Sequence, residues 1–124
     1  MNRKETGQEN EDKAAAYLAE RGFQLLERNF RCRQGEVDLI GCHNNCLVFV
    51  EVKYRKNLLS GAPEEAVNER KQLKICAVSD YYRVSHPREG TMQVRYDVVA
   101  ICDDKVIWYQ NAFPYQRKNN RCSW

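Results

Sequence analysis

Two runs of strand-forming residues meet at a pair of asparagines, and that meeting limits what the chain can become. Glu36-Val37-Asp38-Leu39-Ile40-Gly41 reads as one strand. Leu47-Val48-Phe49-Val50-Glu51-Val52-Lys53-Tyr54 reads as a second, rich in β-branched and aromatic residues. His43-Asn44-Asn45-Cys46 lies between them. Asn tolerates positive φ, so Asn44-Asn45 suits a two-residue hairpin turn. Such a turn fixes the register. His43 faces Cys46, Asp38 falls opposite Glu51, and Glu36 falls opposite Lys53. Alternation then places those two pairs on one face of the sheet, with Ile40, Leu47 and Phe49 beside them. Val37, Leu39, Val48, Val50 and Val52 fall on the other face, a wall for a core.

The flanking sequence supplies the remaining elements. Thr6-Gly7-Gln8-Glu9 fits a capping box, with Thr6 as N-cap and Glu9 at the third helical position. The helix continues through Ala14, Ala15, Tyr17 and Leu18 and stops near Gly22, a natural left-handed cap. Phe23 to Phe30 reads as a strand. After the hairpin, Pro63 suits a first helical position, followed by Glu64 and Glu65 at the positive helix end. That helix is expected to reach Tyr82, with Ala66, Val67, Leu73, Cys76, Ala77 and Tyr81 on its apolar face. Pro87 and Gly90 break the chain. Strands are expected from Thr91 to Cys102, with Asp97 embedded, and from Lys105 to Gln110. The order of helix, three strands, helix, two strands predicts an α/β fold with a central mixed sheet of about five strands flanked by helices.

Composition narrows the class. A chain of 124 residues with 43% hydrophobic and 30% charged residues suits one domain of ordinary globular material. The domain is expected over 1–115, with a basic, loose tail over 116–124 carrying Arg117, Lys118 and Arg121. No run approaches the roughly 20 apolar residues of a membrane span, and the polar N-terminus has no secretory h-region. A cytoplasmic protein is the expectation. The net charge of +3 permits nucleic-acid binding without requiring it. Lys53, Arg55 and Lys56 form one basic cluster and the tail another; each is either a phosphate-attracting patch or a solvated surface.

The six cysteines are expected to be reduced in such a compartment. Cys76 and Cys102 lie in apolar runs and read as small core residues. Cys42-His43-x-x-Cys46 lacks the second ligand pair of a structural zinc site. It reads as a hairpin turn that happens to hold two thiols.

The chemistry lies in the acids. Asp and Glu are depleted in strands, and like charges directly opposed across strands repel. A cation joining Asp38 and Glu51 would make the arrangement useful. Mg²⁺ takes oxygen ligands, often one or two carboxylates with water and substrate phosphate. Lys53 projects from the same face, where it could hold a phosphate oxygen or assist an attacking water. The plain alternative is a solvated ion-pair ladder in which Glu36 pairs with Lys53. That face also carries Ile40, Leu47 and Phe49, so it is only partly wet.

Asp38 followed by Glu51-Val52-Lys53 resembles the PD-(D/E)xK motif of restriction-endonuclease-like nucleases, with Val37 in place of the proline. Gly35-Glu36-Val37-Asp38-Leu39-Ile40, Val48-Phe49-Val50-Glu51-Val52-Lys53-Tyr54-Arg55 and Arg95-Tyr96-Asp97-Val98-Val99 look like the bacterial YraN family of predicted endonucleases. That family is similar to archaeal Holliday-junction resolvases, and the likeness runs from about Gly7 to Ile101. It implies a restriction-endonuclease-like fold with Asp38 and Glu51 as ligands of Mg²⁺ or Mn²⁺. The Val52 carbonyl would be a third ligand and Lys53 the catalytic lysine. Glu9 stands where an acid of the first helix often completes such sites, in competition with its capping role. Gly35 would give the backbone room beside the site. Arg55 and Lys56 are candidate DNA-backbone contacts. Arg95 either neutralises a phosphate or pairs with Asp97, two residues along the same face, the plainer reading.

The expected function is metal-dependent endonucleolytic hydrolysis of branched or structured DNA, with a homodimer as the matching two-fold assembly and no organic cofactor. The alternative is a nucleic-acid-binding module that keeps the fold without the reaction.

Overall fold

The protein is described here by a computed structural model covering residues 3–56 and 67–117, with side chains from Gly7 onward. Helix α1 spans Arg3–Ala19, followed by strands β1 (Gln24–Cys32), β2 (Gly35–His43) and β3 (Cys46–Tyr54). Helix α2 spans Glu69–Ser85 and the short α3 Pro87–Gly90, before β4 (Gln93–Cys102) and β5 (Lys105–Tyr109). The five strands form one sheet in the order β1-β2-β3-β4-β5. All neighbours run antiparallel except β3 and β4, which are parallel. This is the mixed sheet flanked by helices that the sequence predicts.

Each face of the sheet carries one helix. Ala14 and Leu18 of α1 pack with Leu39, Val48, Val50, Val99 and Ile101. Ile75, Cys76, Val78 and Tyr82 of α2 pack with Ile40, Leu47, Phe49, Tyr96 and Val98 on the opposite face. The interleaving of Val48 and Val50 with Leu47 and Phe49 is the two-residue period of a strand buried on both sides.

The hairpin forms as the turn residues dictate. Asn44 and Asn45 adopt φ of 50° and 64°. His43 pairs with Cys46, and the register continues to Leu39 opposite Val50. Cys42 approaches the Met92 sulfur on the α2 side, while Cys46 packs against the α1-side core. The two thiols therefore face opposite sides of the sheet.

The helices differ from expectation in their starts and in one buried face. Helix α1 is already under way at Arg3, so Thr6 lies inside it and the capping box does not form. Arg3, Lys4 and Glu5 are good helix formers with no breaker among them. Its end is as expected: Gly22 has φ of 91°, and the Phe23 N–H donates back to the Leu18 carbonyl at 3.1 Å. In α2, Asn68 is the N-cap, its side chain accepting the Lys71 N–H at 2.9 Å. Pro63 to Ala66 lie outside the described residues, and Val67 precedes the cap.

The buried face of α2 is Gln72, Ile75, Cys76, Val78, Ser79 and Tyr82, whereas Tyr81 is 46% exposed. The expected face was rotated because Gln72 and Ser79 are polar. Both are satisfied inside: Gln72 donates to the Val67 carbonyl, and Ser79 shares a hydrogen bond with the Tyr96 hydroxyl. Pro87 and Gly90 bound α3. The Tyr115 hydroxyl donates to Asp80, and at the start of the tail expected to be loose the Gln116 N–H donates to the Cys76 sulfur. Residues 118–124, with Lys118, Arg121 and Cys122, lie outside the described residues.

Candidate metal centre

The acids come together where the sheet opens. The β2–β3 ladder ends at Leu39 and Val50, while β3 continues beside β4 as far as Tyr54. Past that point Asp38 Oδ2 accepts the backbone N–H of Val52 at 2.8 Å, bridging the gap with a side chain. The N–H and C=O of one strand residue project to the same edge. The Val52 carbonyl therefore faces the same gap.

A kink explains how Asp38 turns into the gap. Asn29, with φ of 51°, stands in β1 between the pairs Arg28–Leu39 and Phe30–Val37, opposite Asp38. On either side of this point the chain changes faces. Arg28 reaches Asp12 of α1 at 2.7 Å, whereas Phe30 packs edge-on against Tyr82 of α2. Leu39 lies in the α1-side core and Val37 in the α2-side core. Val37 is thus corrected to the face of Ile40 and Phe49. With the ladder ended, Glu36 does not pair with Lys53. It pairs with Arg31 across the β1–β2 ladder at 3.3 Å.

Glu51 is 4% exposed, and its Oε2 lies 3.0 Å from Lys71 Nζ of α2. Burial, then the neighbouring Glu51 charge and a hydrogen bond between the two carboxyls, push Asp38 up to about 7. Burial works against the charge on Lys71, but Glu51 and Asp38 outweigh it and raise its pKa. The site is therefore two crowded carboxyls sharing one partly exposed ammonium. Lys53 is half-buried two residues beyond Glu51, on the same face of β3. Gly35, with φ of 148°, brings the start of β2 against Lys74 and Val78 of α2, so its room serves helix packing.

Glu9 is exposed on α1. The α1 acid that faces Asp38 is Glu11, raised by burial against a hydrogen bond from Asn29, with the Asp38 charge adding to the rise. Its Oε1 is buried without a hydrogen bond, 3.7 Å from Arg28. Helical spacing held this signal, since Glu11, Ala14 and Leu18 lie on one face. Lys71 gave no such signal, because only the packing of α2 on the sheet brings it to Glu51.

Arg95 is committed elsewhere. It donates two hydrogen bonds to Asp97, at 3.0 and 2.9 Å, and contacts His43, with its side chain 12% exposed. Asp97 also accepts from Trp108 Nε1 and the Asn111 N–H. This cluster lies on the α1 side, opposite Glu51, and is a satisfied structural pair as the plainer reading held. Arg55 donates its N–H to the Ile101 carbonyl at the end of β3, and Lys56 is exposed beyond it.

The donor set suits a hard divalent ion. Among the described residues no three His, Cys, Asp or Glu side chains converge on one point. A cation here would be held by Asp38, Glu51, the Val52 carbonyl and water, an all-oxygen set of the kind Mg²⁺ or Mn²⁺ accepts. A groove of about 1000 Å³ runs along the outer side of α2, between Gln34 and Arg117, and includes neither acid. No helix among the described residues is long and apolar enough to cross a membrane.

Residues 10–101 match the sequence model of the uncharacterised protein family UPF0102. A UPF0102 protein of Lachnoclostridium phytofermentans is 43% identical over 113 residues, covering 91% of this chain and 96% of its own length. One from Cytophaga hutchinsonii is 44% identical over 96 residues, covering 77% and 83%. One from Persephonella marina is 39% identical over 107 residues, covering 86% and 91%.

Proposed function

The chain belongs to the UPF0102 family, and on that footing we propose that it is a divalent-metal-dependent endonuclease acting on branched or structured DNA. One observation carries the reading: Asp38 and Glu51 crowd together at the opening between β2 and β3, with the Val52 carbonyl turned to the same gap. Two opposed, partly desolvated carboxylates cost the fold stability unless a cation neutralises them. The resemblance to PD-(D/E)xK nucleases gives that cation a task.

In this reading Asp38, Glu51 and the Val52 carbonyl hold Mg²⁺ or Mn²⁺, which when bound lowers the pKa of a water and stabilises charge on the phosphate. Asp38 is aimed by the Val52 N–H. Lys53 donates to a non-bridging phosphate oxygen or orients the attacking water. Arg55 and Lys56 lie beyond the end of β3, where they can follow the DNA backbone. Arg95 is left out of this set, because its guanidinium is committed to Asp97. A homodimer would match the paired strands of a branched substrate.

The test is cleavage of labelled linear duplex, single strand, flap and four-way junction with Mg²⁺ or Mn²⁺, beside Glu51→Ala and Lys53→Ala. Cutting that requires metal and disappears in both variants supports the nuclease, and the preferred substrate names its class. Binding without cutting, unchanged in Glu51→Ala, would instead establish a nucleic-acid-binding module that has kept the fold.

A further inference from the structure

Lys71 is the cation that the acid pair already has. It stands in the first turn of α2, just after the Asn68 cap, and its ammonium reaches across to Glu51 at 3.0 Å. The two partners differ sharply in exposure. The Glu51 side chain is 5% exposed and is held by the β3 strand in the middle of the sheet, whereas that of Lys71 is 45% exposed. The carboxylate is fixed and the lysine is free to leave. Lys71 has a flexible four-carbon stem and a strongly hydrated head, so swinging into water costs it little. Asp38, the second acid, has no cationic partner within ion-pair distance among the described residues. The monovalent ammonium therefore balances only part of the charge that the two acids carry when ionised.

We propose that Lys71 is the built-in counter-cation of this site: it holds Glu51 in place while the site is free of metal and is displaced when a divalent ion enters. The inference rests on the metal-binding reading above and adds a residue to which nothing in the sequence pointed. The ion and the ammonium compete for the same carboxylate, so removing the ammonium strengthens metal binding. A lysine that merely buttressed Glu51 would have the opposite effect, because its loss would loosen the ligand.

Mn²⁺ binding to the full chain distinguishes these, measured from the free-ion electron spin resonance signal for wild type, Lys71→Met, Lys71→Gln, Lys71→Arg and Asp38→Asn. Circular dichroism would establish that each variant is folded. Lys71→Met and Lys71→Gln are expected to bind Mn²⁺ about fivefold more tightly than wild type, and Lys71→Arg to stay near wild type, the difference corresponding to loss of one partly exposed ion pair. Equal or weaker binding by the neutral variants, with Asp38→Asn abolishing it, would overturn the counter-cation role and leave the metal site standing. No Mn²⁺ binding by wild type or any Lys71 variant would overturn the metal site and this inference with it.

Discussion

Asp38 accepts the Val52 backbone N–H at 2.8 Å, so a side chain takes the place of the strand partner that β2 withdraws. One carboxylate oxygen thereby takes a structural hydrogen bond, and in the proposed metal site the other would be the ligand. Asp38→Asn separates these roles. The amide oxygen can still accept from Val52, so stability should change by no more than about 1 kcal/mol. Divalent-ion binding and cleavage should fall by orders of magnitude, because a neutral amide is a poor Mg²⁺ ligand. Urea unfolding beside a metal titration checks both halves.

The same carboxyl gives a pH dependence. Asp38 is raised from 3.8 to about 7, with burial as the largest cause. Between those values the folded protein keeps a proton that the unfolded chain has released. The stability of the metal-free protein should therefore fall as pH rises through that window and level off above about 7. A divalent ion needs the ionised form, so Mg²⁺ should raise the melting temperature more at about pH 8 than at about pH 5. Thermal melts with and without Mg²⁺ test it. An equal Mg²⁺ effect at both values would mean that Asp38 is not the titrating ligand.

Gly41 is a packing requirement. A Cβ there would be driven into the Phe23 ring and the Gln24 carbonyl oxygen. Because one obstacle is backbone of β1, repacking cannot fully relieve it. Gly41→Ala should cost about 2 kcal/mol or more, read as a lower urea midpoint with an unchanged slope.

Asp97 should behave as a structural acid. It is fully buried and accepts from Arg95, Trp108 and Asn111. Asp97→Ala strands the Arg95 charge inside the protein and should cost about 3–5 kcal/mol. Metal affinity of the remaining folded protein should be unchanged, since this cluster lies on the far face of the sheet from Glu51. A variant that folded normally but lost metal would place Asp97 in the site.

Asn29 makes the kink opposite Asp38, with φ of 51°. Asn29→Gly keeps the kink and should cost only about 1 kcal/mol, for the lost hydrogen bond to Glu11. Asn29→Val should cost about 2 kcal/mol or more and weaken metal binding by turning Asp38 out of the gap. Equal metal affinity in both variants would separate the kink from the site.

The local chemistry of the chain determined the hairpin. Two asparagines that accept positive φ fix a two-residue turn, and the turn sets the register as far as Leu39 and Val50. Alternating valines and aromatics then made a strand buried on both sides, and the element order made a mixed sheet between helices. Asp38, Glu51 and Lys53 were legible as candidates from their positions in the two strands, but the expected pairing of Asp38 opposite Glu51 does not form. The ladder stops at Leu39 and Val50, and a kink brings Asp38 to Glu51. The tertiary structure decided what comes from afar. Lys71 meets Glu51 only because α2 packs across the sheet. Arg95 pairs with Asp97 on its own strand, as their spacing suggests, but only the sheet brings His43 of β2 to Arg95 and Trp108 of β5 to Asp97. The α1 acid that faces Asp38 is Glu11 rather than Glu9, because helix phase, set by Ala14 and Leu18 against the core, selects which acid turns inward. Registers and turns depend on neighbours in the chain, so a sequence states them directly. The partner of a charge depends on which elements pack together, and that is settled only when the sheet has been covered on both faces.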